Sequence, residues 1–134
     1  EETVIEKYKN LAVKVVVKSF FDNMPELYEK ASLIVSRSGA SSVYEIAIAG
    51  VPSILVPLPT SADNHQYFNA KEFTETGGGI VIEQKNFSSK ILSEHLSKFI
   101  ANPDALQRMS DKIKKQAIVD AAKRLADVVE KFVK

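Results

Sequence analysis

The apolar positions of the chain change period several times, and each change marks an element. Between Leu33 and Pro57 a short apolar run, Leu33 to Val35, breaks at Arg37-Ser38-Gly39, after which Val43, Ile46, Ala47 and Gly50 recur at helical spacing. Gly50 followed by Pro52 stops that helix, and Ser53 to Val56 is a second apolar strand. The unit is strand, glycine turn, helix, strand, and its short connection predicts parallel pairing.

Upstream, Val4, Ile5 and Tyr8 share one face of a helix over Glu1 to Tyr8, and the β-branched run Val13 to Val17 predicts a further strand. Asn23, with Pro25 and Glu26 behind it, reads as the cap of a helix running to about Ala31. Downstream, Pro57 to Ser61 is a loop, and Asp63-Asn64-His65-Gln66 opens a helix through Tyr67, Ala70 and Phe73, with Asp63 as its cap. Gly77-Gly78-Gly79 follows a helix and precedes a strand, Ile80 to Ile82. That order is the reverse of a dinucleotide fingerprint, so the glycines read as a helix end and tight turn. Ser88 caps a helix carrying Ile91, Leu92, Leu96 and Phe99, and Asn102-Pro103 starts another with Leu106, Met109 and Ile113. Asp120 is expected to cap a last helix with Leu125, Val128, Val129 and Phe132 on its inner face. Four strands alternating with helices predict an α/β domain, a parallel Rossmann-like sheet covered on both sides.

One rim of such a sheet collects the polar chemistry. The turn from Ser38 to Ser42 lies at a strand's carboxyl end and a helix's amino end, where unpartnered N–H groups and the helix dipole favour an anion. Gly39 admits a ligand close to the backbone, and three serines add hydroxyls. Ser42 and Glu45 equally fit a capping box, which needs no ligand. Glu45 could instead accept from ribose hydroxyls beside a phosphate held at the helix start.

Composition narrows the choice. The chain has 134 residues, 45% hydrophobic and 26% charged, which is enough for one domain with a core. A net charge of +1 gives no nucleic-acid footprint, and the absence of cysteine removes disulfides and thiolate metal sites. No apolar run is long enough to cross a bilayer, and the basic tail reads as a solvated face. A hydrolase elbow fails because Gly39-Ala40-Ser41-Ser42-Val43 lacks its final glycine. Two histidines without carboxylate pairing do not match metal-ligand spacing.

Five segments in order carry a resemblance covering nearly the whole chain: Phe20-Phe21-Asp22-Asn23-Met24; Arg37-Ser38-Gly39-Ala40 with Glu45-Ile46-Ala47; Gly50-Val51-Pro52; Asp63 to Ala70; and Ala117 to Ala122. On these the chain resembles the carboxyl-terminal, donor-binding half of the bacterial GT-B glycosyltransferases that add N-acetylglucosamine to lipid I, making lipid II for peptidoglycan. The resemblance implies a UDP-N-acetylglucosamine site. Phe21 would frame the uracil with Met24 nearby, and Ser38, Gly39, Ala40, Ser41 and Ser42 would hold the diphosphate. Glu45 would bind the ribose, and His65 and Gln66 would reach the sugar; Arg37 and Asn69 belong to the same set. Family members invert the anomeric centre and use no metal or other cofactor for the transfer.

The family's amino-terminal domain, which binds the lipid acceptor, and the first strands of its donor domain have no counterpart in the pattern. Residues 1–134 are therefore expected to be a single truncated donor domain with no catalytic residue of its own. Its parent is expected to work peripherally on the cytoplasmic face of the inner membrane. Two other readings remain: a stand-alone donor subunit that pairs with a separate acceptor-binding protein, and a nucleotide-sugar module without catalysis. A domain lacking its first strands leaves an open edge near Val13 to Val17, which predicts self-association. Sedimentation at high concentration should reveal dimers or larger species; a monodisperse monomer counts against it.

Overall fold

A computed structural model of the chain describes residues 2–10 and 12–133, and among them the side chains of 3–10, 12–116, 126 and 129. The elements in order are α1 (Glu2–Tyr8), α2 (Met24–Lys30), β1 (Ile34–Ser36), α3 (Ala40–Ala49), β2 (Ser53–Leu55), α4 (His65–Glu75), β3 (Gly79–Val81), α5 (Ser89–Ala101) and α6 (Pro103–Val133). Short 3₁₀ turns, Ala62–Asn64 and Gln84–Asn86, lead into α4 and follow β3.

The strands form one parallel sheet in the order β1-β2-β3, with Ile34 opposite Ser53 and Ser53 opposite Gly79. The central strand, β2, is buried at every position, as a strand paired on both sides and covered on its faces must be. One face of the sheet carries Leu55, flanked by Ile34 and Val81. Ile46 of α3, Ala70 and Phe73 of α4, and Ile113 of α6 pack there into the core. The opposite face carries Val35, Ile54 and Ile80. Ile54 is fully buried, yet Val35 is 42% exposed, so the expected cover on both faces is incomplete over β1.

Two further expectations are corrected. Val13 to Val17 forms no strand: the segment joins no ladder, with Val13 at 61% and Val16 at 62% exposure. High β-propensity does not by itself make a strand, and the segment does not add to β1, whose outer edge stays open. The chain thus has three strands among the described residues, not four. The apolar face of α1 is likewise not buried, since Val4, Ile5 and Tyr8 are all over 40% exposed. The second correction concerns Asp120, which caps nothing. One helix of 31 residues runs unbroken from Pro103 to Val133, because the sequence between them holds no glycine or second proline to stop it. Of the expected inner face, Val129 is 51% exposed and so is not buried, while Leu125, Val128 and Phe132 lie outside the described side chains.

The helix ends follow the sequence more closely. Gly50 takes the left-handed conformation (φ 68°), and its N–H reaches back to the carbonyls of Ile46 and Ala47. Ser88 Oγ accepts from the Ile91 N–H at 3.2 Å and caps α5 as expected. From α6, the Ser110 hydroxyl donates to the Gly50 carbonyl at 2.7 Å, while the stems of Lys114 and Lys112 lie across Gly50 and Gly77. Gly78 is buried where α6 approaches most closely, and a Cβ there would run into the Ile113 side chain. Ile113 is only 2% exposed and cannot move aside. Gly78→Ala should therefore lower stability by about 1–3 kcal/mol in urea denaturation. Gly39→Ala, whose Cβ meets nothing within 4 Å, should shift it by less than about 0.5 kcal/mol.

Candidate functional site

The carboxyl end of β1 runs directly into the start of α3. Gly39 is extended (φ −60°, ψ 149°) and serves as the N-cap, so the helix begins at Ala40. The first helical bond is from the Val43 N–H to the Gly39 carbonyl at 3.0 Å, and no side chain caps the end. The N–H groups of Ala40, Ser41 and Ser42 therefore face outward, at the positive end of the helix dipole. The capping box expected from Ser42 and Glu45 does not form, because both residues lie inside α3. The space above Gly39 is open.

The turn before α3 is held from below. Ser38 is completely buried, and its hydroxyl donates to the Gln66 carbonyl at 2.7 Å. Asn69 Nδ2 donates to the Ser38 carbonyl at 3.1 Å, so the first two turns of α4 grip the turn before α3 at two points. The Leu58 N–H donates to Gln66 Oε1 at 3.0 Å, and the Gln66 N–H donates to Ser61 Oγ at 3.4 Å. Arg37 Nη1 donates to the carbonyls of Val56 and Pro57, both at 3.3 Å, tying β1 to the strand beside it. Of the three serines, Ser38 thus spends its hydroxyl internally; Ser41 is exposed and Ser42 half-buried.

The start of α4 is built differently. Asp63 (φ 47°) and Asn64 (φ 59°) are consecutive left-handed residues, a conformation that Asp and Asn tolerate better than other side chains. Asp63, expected as a cap, caps nothing. Asn64 stands at the N-cap position without a side-chain bond, and the Asp63 carboxylate lies 3.8 Å from His65 Nε2. Both of those side chains are strongly exposed, at 92% and 70%, and solvent screens the contact.

Glu45 stands in the second turn of α3, where its carboxylate accepts from the Tyr28 hydroxyl of α2 at 3.1 Å. Burial, the hydrogen bond to Glu45 and the carboxylate's charge, in that order, push the Tyr28 phenol above its usual value, so it stays a donor at neutral pH. Glu45 and Met24 line an open cleft of about 700 Å³ between α2, α3 and α6, together with Tyr44, Ile48 and Lys114.

The candidate residues therefore form two clusters, one at the α3 start and one along the body of α3. Arg37 to Ser42, Gln66 and Asn69 meet through hydrogen bonds, while Met24 and Glu45 share the cleft. Phe21 is half-buried before α2 with the Lys18 ammonium 5.5 Å from its ring centre, and His65 points into solvent. Sequence reasoning passed over Tyr28. The available signal was its position one turn after Met24 on α2, beside the helix that carries Glu45. Removing the buried hydroxyl with Ser38→Ala leaves the Gln66 carbonyl without its donor and should cost about 1–3 kcal/mol of stability. Ser41→Ala, at an exposed position, should cost less than about 0.5 kcal/mol by the same thermal-melt comparison.

Comparison with known proteins supplies the context. Residues 1–125 match the family described as glycosyltransferase family 28 C-terminal domain. A UDP-N-acetylglucosamine–N-acetylmuramyl-(pentapeptide) pyrophosphoryl-undecaprenol N-acetylglucosamine transferase of Rickettsia massiliae is 36% identical, over 94% of this chain and 33% of that protein. The enzyme of the same name from Crocosphaera subtropica is 39% identical, over 82% of this chain and 32% of its own length. The chain thus spans about a third of the curated relatives it matches. Among solved structures, Acinetobacter baumannii MurG superposes with a TM-score of 0.77 at 30% identity, over 92% of this chain and 38% of that one. The glycotransferase of kitacinnamycin shares the fold at a TM-score of 0.64 and 18% identity, over 97% of this chain and 38% of its own.

Proposed function

Because the chain belongs to glycosyltransferase family 28, through the C-terminal domain of that family, we propose that it is the donor-binding part of a UDP-N-acetylglucosamine transferase that makes lipid II from lipid I. The observation that carries this reading is the uncapped amino end of α3, set at the carboxyl end of β1 and braced by the buried Ser38. Such a position is where open α/β sheets receive ligands. In this reading the N–H groups of Ala40, Ser41 and Ser42 take the diphosphate, with open space over Gly39 for its approach.

The remaining roles follow the placement of the other residues. Glu45 accepts from the ribose hydroxyls, and Phe21 and Met24 border the uracil. His65 and Gln66 face the sugar; Gln66 has its Oε1 engaged by Leu58 and keeps its amide nitrogen as a donor. Transfer joins an acceptor hydroxyl to the anomeric carbon with inversion, as the bond to the diphosphate breaks. Negative charge then grows on the departing UDP, and fixed N–H groups at a helix start stabilise it more than they stabilise the intact donor. The lipid acceptor and any general base are supplied by the rest of the protein, to which residues 1–134 add a single donor domain. No helix among the described residues is long and apolar enough to cross a membrane. We place the work of the whole protein on the cytoplasmic face of the inner membrane, held there peripherally.

A titration with UDP-N-acetylglucosamine followed by amide chemical shifts tests the reading. Shifts should concentrate at Phe21, residues 38–45 and Gln66, and Glu45→Ala should weaken binding about tenfold or more. UDP-glucose run alongside reports whether the sugar is read as well as the nucleotide. No shifts at millimolar donor would overturn the proposal for this chain.

A further inference from the structure

Glu45 is exposed in the middle of a helix, where a glutamate's three rotatable bonds leave its carboxylate with several positions. A group that recognises a pair of ribose hydroxyls binds them more tightly when it already occupies the right one before the ligand arrives. The structure supplies the constraint from a different element. The Tyr28 ring is half-buried and packs against the core cluster of Ile46, Leu55, Ala70, Phe73 and Ile113, so its hydroxyl is a fixed point. That hydroxyl donates to Glu45 Oε2 at 3.1 Å across the contact between α2 and α3. A phenol has one proton to give, and a carboxylate has two oxygens to receive. Once Tyr28 has taken one, Oε1 remains for the ligand.

We propose that Tyr28 is a positioning residue for this site: it holds one oxygen of Glu45 so that the other is aimed at the ribose hydroxyls, and thereby sets the preference for ribonucleotide over deoxyribonucleotide donors. The proposal rests on the donor-binding reading above. It adds a residue 17 positions away in sequence, on another helix, whose contribution is orientation and not contact with the ligand. Met24, one turn earlier on α2, lines the same cleft as Tyr28 and Glu45, so α2 presents both side chains toward α3.

The test compares the 134-residue chain with its Tyr28→Phe and Glu45→Gln variants, using calorimetric titration with UDP and with 2′,3′-dideoxy-UDP. Phenylalanine keeps the packing and removes only the hydroxyl, and a melting curve checks that it does so. Tyr28→Phe should bind UDP about five- to tenfold more weakly and dideoxy-UDP unchanged, shrinking the ratio between the two nucleotides. Glu45→Gln should shrink the same ratio further. If Tyr28→Phe weakens both nucleotides equally, or neither, while Glu45→Gln still erodes the ratio, the positioning role is wrong and the donor reading stands. If the wild-type chain binds neither nucleotide, or Glu45→Gln leaves the ratio intact, the donor reading fails and takes this role with it.

Discussion

The hydroxyl of Ser38, out of reach of water, gives its proton to a main-chain oxygen at the start of α4, and the arrangement of the rim depends on that bond. Two helix starts whose positive dipole ends are of like sign would not converge unaided. Ser38 and Asn69 bring them together with one side-chain bond in each direction. The loop between β2 and α4 is drawn into the same knot by Gln66, whose carboxamide and main chain each accept or donate within it. The buried Ser38 side chain keeps the neighbouring N–H groups in place.

The sheet makes this possible because its central strand is sealed. Ser53, Ile54 and Leu55 have no exposed position, and Ile46, Phe73 and Ile113 from three helices converge on the Leu55 face. Strands of three residues contribute few ladder bonds, so the apolar contacts across that face hold α3 and α4 at a fixed spacing from the sheet. The edge strand β1 is less protected, with Val35 half uncovered, yet it delivers the chain to the turn at Ser38. Rigidity at the middle of the sheet and exposure at its margin coexist within a few residues.

Much of this could be read before any coordinates. The glycine turn between strand and helix, the stop at Gly50 and Pro52, the Ser88 cap and the parallel pairing are local or nearly local signals, and the chain obeys them. The failures have specific causes. Val13 to Val17 has every residue a strand needs, yet it pairs with neither edge of the sheet. Ser42 and Glu45 have the spacing of a capping box, but Gly39 claims the cap three residues earlier and carries both into the helix body. Asp120 sits in a stretch that nothing interrupts, so the helix continues through it. The Tyr28–Glu45 bond was invisible because only packing of α2 on α3 decides which side chains meet across 17 residues. The fold was legible where one segment decides, and the site where two segments meet was not.

The long helix α6 packs Ile113 into the core with α3 and α4, and it also attends their far ends. Lys114 and Ser110 attend the last turn of α3, and Lys112 lies over the glycine that follows α4. Each of these two helices therefore has a cation near its negative pole, and α3 has open N–H groups at its positive one. The same helix also reaches the cleft between α2 and α3 through Lys114, so the element that fastens the far end of α3 borders the face that carries Glu45.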